Sequence, residues 1–93
     1  MSILGTFTQQ PADRLDYDVY YGSFFPTGDS VASQVTTCDT GVTATGSINA
    51  AADTVKVFVT GGTSGTRYKV TVTATSVAGR IKQSEFYIQV KEF

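Results

Sequence analysis

Ninety-three residues with seven Lys and Arg against eight Asp and Glu make one small domain of nearly balanced charge, which lacks the field that draws proteins to nucleic acid or anionic membranes. Histidine is absent and Cys38 is the single cysteine, so His-Cys zinc sites, Ser-His and Cys-His nucleophile pairs and an internal disulfide are all excluded, and no enzyme is expected. Thr and Val are abundant while Leu occurs only twice, a bias that predicts an all-β chain.

The opening "MSILGTFTQQP" has no basic leader and only a short apolar patch. It reads neither as a secretory signal nor as a membrane span, and the protein is expected to stay in the cytoplasm where it is made. Residues 1–12 lack periodicity and predict an extended N-terminal arm, with residues 13–93 forming the folded domain. From Arg14 the chain alternates: Leu15, Tyr17, Val19 and Tyr21 point one way, and Asp16, Asp18 and Tyr20 the other. That is a first strand.

"GSFFPTGD" then breaks the pattern with Gly22, Pro26 and Gly28 and predicts a loop carrying Phe24 and Phe25. "SVASQVTTC" resumes alternation through Val31, Ser33 and Val35, and "GVTATG" reads as a short strand between two glycines. "SINAAAD" reads as a connection, since three alanines are too few to nucleate an independent helix. Beyond it Val55, Val57 and Val59 alternate with Lys56 and Phe58 up to the "GGTSG" turn. Tyr68, Val70, Val72 and Ala74 form the next inward row, and Phe86, Ile88 and Val90 the last. Burying one such Val, Ile or Phe side chain contributes about 1.5 to 3 kcal/mol, so these three strands are the expected core.

Short strands with one apolar face and a turn about every ten residues predict an antiparallel β-sandwich of immunoglobulin-like or fibronectin-type form. The glycine cluster fits that reading better than a phosphate loop, because it feeds a strand and lacks the lysine and hydroxyl of a phosphate-binding signature. Gly61, Gly62 and Gly65 supply positive φ where the chain reverses, and Gly79 allows a tight connection before Arg80. Tyr68, just after the turn, stands where sandwiches use a tyrosine hydroxyl to tie a crossover loop to its strand. Asp16 and Asp18 share a strand face, but no calcium-loop pattern surrounds them, so solvated or partner-facing charge is the simpler reading. Cys38 has no basic neighbour in sequence and reads as an unreactive, buried thiol.

Taken in order, "QQPADRLDYDVYYGSFFPTGDSVAS" and "VFVTGGTSGTRYKVTVTATSVAGRIKQSEFYIQVKEF" resemble the small bacteriophage proteins known as fiber-tail adaptors. The marks are a proline and acidic residues ahead of "LDY", a "GD" before a serine-rich strand, the "GGT-x-GT-x-Y" turn, a Thr-rich strand, "AGR" and a final strand. Members of that family usually carry tryptophans after "LDY"; here Tyr20, Tyr21, Phe24 and Phe25 stand in their place. The resemblance implies a virion structural protein of the tail or neck that docks fibers by assembly without chemistry, with no cofactor and no small-molecule substrate. It further implies copies packed as a ring, with the arm or a sheet edge pairing to a neighbour.

Tyr20, Tyr21, Phe24, Phe25, Phe58 and Arg80 are the expected contacts, chosen for exposed aromatic or guanidinium character. The alternative is a carbohydrate-binding sandwich that stacks surface aromatics on sugar rings. A small hydrolase is disfavoured for want of a nucleophile with a base.

Overall fold

Strict alternation of β-branched residues with polar ones leaves the chain no stable option but strands that bury one face. The computed structural model describes residues 2–22, 24–49 and 53–92, and of residues 2–4 the backbone alone. The described residues form seven strands: β1 (Ser2–Gln9), β2 (Arg14–Tyr20), β3 (Val31–Cys38), β4 (Val42–Asn49), β5 (Thr54–Gly61), β6 (Arg67–Ser76) and β7 (Ile81–Val90). They divide into a four-stranded sheet of order β1-β7-β6-β3 and a three-stranded sheet of order β2-β5-β4. The fold is all-β. "SINAAAD" is split, with Ser47 to Asn49 extending β4 and the three alanines lying outside the described residues.

The inner faces meet along the rows expected from sequence. Val55, Val57 and Val59 of β5 pack against Val70, Val72 and Ala74 of β6 and Phe86, Ile88 and Val90 of β7, all of them buried. One flank of the sandwich is closed by polar side chains. Gln34 of β3 donates from Nε2 to the Gly46 carbonyl of β4 (3.1 Å), and the Thr36 hydroxyl donates to Gln34 Oε1. The room for both exists because Gly46 has no Cβ. Nearby, the Cys38 thiol is half-buried and donates to the Val42 carbonyl at 3.3 Å.

Three expectations need correction. The segment read as an extended arm set apart from the domain is a paired strand of it, because β1 adds to the edge of β7 from Ser2↔Ser84 to Gln9↔Val90. That pairing is parallel, so the sandwich is not wholly antiparallel. In β3 the register shifts between Val31 and Ser33, and the extra residue inverts every side chain that follows. Gln34, Thr36 and Cys38 therefore face inward, while Val35 stands outside and is 63% exposed.

The crossover from β5 to β6 turns on glycines. Gly61, Gly62 and Gly65 have φ of 88°, 103° and 89°. Gly62 is the most constrained, since a Cβ there would lie 2.6 Å from Val90 Cγ2. The Tyr68 ring is buried at this end of the molecule, and its hydroxyl accepts the Thr63 N–H at 2.9 Å. That bond holds the phenol below its ordinary pKa, because it favours the phenolate.

Candidate partner-binding surface

At the opposite end of the sandwich, β2 runs out at Tyr20, β6 turns into β7, and the long 21–30 loop crosses from one sheet to the other. The crossing is pinned at several points. Tyr21 donates its N–H to Asp53 O (2.7 Å) at the start of β5, and Val77 donates its N–H to Ser30 O (2.9 Å). Asp29 supplies the main tie. Its Oδ1 accepts the N–H groups of Ser30 (3.0 Å) and Ala78 (3.1 Å), and its Oδ2 accepts Arg80 Nη1 at 2.9 Å. Hydrogen bonding from Ser76, then from Ala78, Arg80 and Ser30, holds this carboxyl below its ordinary pKa against the opposing effect of desolvation.

Asp29 thus clamps the loop to the hairpin, and together they present apolar side chains to solvent. Tyr20 is 59% exposed, Phe24 43%, Val77 72% and Ile81 70%, with Ile48 at the end of β4 also exposed. Tyr20 lies back over Gly22, at the place a side chain there would need. The Lys82 ammonium sits 4.6 Å from the centre of the Phe24 ring.

Of the expected contacts, Tyr20, Phe24 and Arg80 come together at this end. Tyr21 and Phe25 do not reach the surface. Tyr21 continues the inward row of β2 and is fully buried, its hydroxyl donating across a long 3.4 Å to Val72 O; burial raises its pKa. Phe25 stacks on it with ring centroids 5.9 Å apart and planes at 15°. Both are core residues in this fold, because strand periodicity carries through Tyr21 and the loop folds Phe25 over it. Phe58 lies elsewhere, half-buried in the middle of β5 on the outer face of the three-stranded sheet, with the Arg14 guanidinium 4.2 Å from its ring centre.

Val77 and Ile81 were not expected. The available signal was the pair of apolar residues bracketing "AGR", where a solvated hairpin would carry polar ones.

The carboxylates of Asp16 and Asp18 are bridged by Lys56 Nζ at 2.9 and 3.4 Å, so an ammonium stands where a bound cation would have to sit. Its hydrogen bond lowers the Asp16 pKa, and Asp16 in turn raises that of Lys56. Among the described residues no three metal-ligating side chains converge.

No protein of curated function matches the chain. A family model described as podophage GP4 fiber-tail adaptor protein gp77 matches residues 9–89, which takes in the last residue of β1, all of β2 to β6 and nearly all of β7. The chain belongs to that family, and its role is that of a structural adaptor between fiber and tail in a phage virion.

Proposed function

We propose that this adaptor meets a fiber or tail protein through the end of the sandwich that carries Tyr20, Phe24, Val77 and Ile81, and that it works by assembly without catalysis. The observation that carries the reading is that these exposed side chains all stand at one end of the sandwich, Phe24 and Val77 on the two loops clamped together by Asp29 and Tyr20 and Ile81 at the strand ends beside them. A rigid apolar surface loses little conformational freedom when covered, which is what a permanent joint in a particle requires. Copies of the chain form a ring about the tail axis, as symmetric assemblies of one chain do, and are made in the host cytoplasm before joining the virion.

The module is of immunoglobulin-like type. Its strand order supports that assignment in the second, fifth and fourth strands of one sheet and the third, sixth and seventh of the other, with the first strand added to the edge of the seventh. Gly61, Gly62, Gly65, Gly79 and Tyr68 serve the scaffold as turn-formers and a loop tie, and Arg80 acts through Asp29 as much as through a partner. The sugar-stacking alternative needs open aromatic faces. Here Tyr20 lies against Gly22 and one face of Phe24 carries Lys82.

The test compares Phe24→Ala combined with Val77→Ser against Phe58→Ala, using purified tail and fiber proteins of the same phage. The first variant is expected to lower affinity at least about tenfold with the melting temperature little changed, and Phe58→Ala to bind normally. Equal loss in both, or in neither, refutes the assignment of the docking end.

A further inference from the structure

β1 differs from the other strands. Like β2, β3 and β4 it is held along one edge, but its pairing with β7 is the sole parallel one among the described pairings. Its ladder is interrupted between Ile3 and Thr6, around Gly5 at φ 141°. Of the side chains at residues 5–9 only Gln9 is buried.

Two side chains nonetheless key β1 to the body of the domain. Phe7 rests on Tyr17 (centroids 4.9 Å apart) and Phe86 (6.0 Å), filling the flank between the sheets. Gln9 donates from Nε2 to Val59 O (3.2 Å), accepts the Tyr17 hydroxyl at Oε1 (2.7 Å), and accepts the Lys91 N–H at its carbonyl (2.9 Å). Gln9 Nε2 also donates to the Asp13 carbonyl at 3.4 Å within the 10–13 turn; every other partner lies beyond that turn, so the β1 of any copy placed on the same body could make those bonds.

What ties β1 to its own body is that turn. It is closed by the Asp13 N–H on Gln10 O (3.0 Å) and by the Gln10 N–H on Asp13 Oδ2 (2.8 Å), and it contains Pro11. Proline disfavours helical backbone in the residue before it and stiffens the hinge, and a short stiff hinge lowers the cost of the open form relative to the closed one. Few hydrogen bonds separate the two connectivities. The family match also begins at Gln9, so seven of the eight residues of β1, 2–8, lie ahead of the matched sequence.

We propose that in the assembled adaptor β1 is exchanged: the turn at 10–13 opens, and the β1 of each copy adds in parallel to β7 of the next, with Phe7 and Gln9 making in the neighbour the contacts they make within the chain. The occupant of the β7 edge is a second copy of this chain. Head-to-tail exchange of this kind closes into a ring when the rotation permits, and it adds strength without any new surface. The inference rests on the assembly of copies proposed above and specifies its joint.

Thr8 and Gln89 are paired across β1 and β7 on the outer face, and neither side chain is buried. In a Cys38→Ser background, a Thr8→Cys copy and a Gln89→Cys copy are co-expressed, purified together and treated with a short bismaleimide, while light scattering records the oligomeric state. The expected result is a cross-linked heterodimer in yield several-fold above that from Thr8→Cys with Val35→Cys, Val35 lying on the opposite edge strand. Oligomers without preferential 8-to-89 linkage overturn the exchange and leave the ring reading standing. A chain that stays monomeric at all concentrations and also in mixtures with its tail protein overturns both.

Discussion

Asp29 sits at the junction of two loops and has more hydrogen-bond donors than any other carboxylate at this end: two backbone amides and a guanidinium. Its pKa is lowered in the fold. A depressed carboxylate contributes stability that is present above its unfolded value, here the ordinary 3.8, and is lost as pH falls through the folded value. The end of the sandwich that Asp29 clamps is therefore expected to be fully held at neutral pH and to loosen only below pH 3.8. NMR of the Ala78 amide checks this, since its shift should titrate with a midpoint under 3.8 while core amides of β6 stay put; a midpoint at or above 3.8 contradicts the clamp. Nothing in the sequence pairs Asp29 with Arg80 across 51 positions, so the clamp was not legible there. Tyr68 was, because its place after a glycine turn is a local signal. Tyr21 and Phe25 show two signals in conflict. Their chemistry suits an interface, but the period-two row through Val19 dictates that Tyr21 points inward, and periodicity prevails.

At the scale of elements, β5, β6 and β7 were legible because each is an uninterrupted alternation whose inward row is apolar. β3 was legible as a strand, but the alternation read through Val31, Ser33 and Val35 is broken within it. One residue inserted near Ala32 makes Val35 an outer residue, and a bulge leaves no mark in a sequence whose alternate positions are all small or β-branched. β1 was missed as part of the sheet for a different reason. A parallel partner 81 or 82 positions away imposes no local pattern, and of its described side chains Gln9 alone is buried. The register of β3 makes a sharp prediction. Val35→Thr should change unfolding free energy by less than about 0.5 kcal/mol, as surface changes do, whereas Val72→Ala, at a fully buried site, should cost about 2 kcal/mol or more. Urea unfolding separates them. Comparable losses at both positions would place Val35 inside and remove the bulge.

Considered whole, the molecule uses its charges on itself. Lys56 bridges Asp16 and Asp18, Lys69 reaches Glu85 at 3.8 Å, and Arg80 holds Asp29. Arg14, Arg67 and Lys82 lie over Phe58, Tyr87 and Phe24. Six of the seven cationic side chains are thus engaged within the chain, and the net charge is −1. Such a molecule has little field to steer or hold a partner, and its end offers Tyr20, Phe24, Val77 and Ile81 instead. If the proposed end is the joint, docking should be nearly indifferent to salt. Raising NaCl from 0.1 to 1 M shortens the screening length from about 10 to about 3 Å, and the affinity for the tail or fiber partner is expected to change by less than about threefold. Titration calorimetry at the two salt concentrations measures it. A loss of tenfold or more would mean that ion pairs carry the joint, and the Arg80–Asp29 clamp would then have to open and give its guanidinium to the partner.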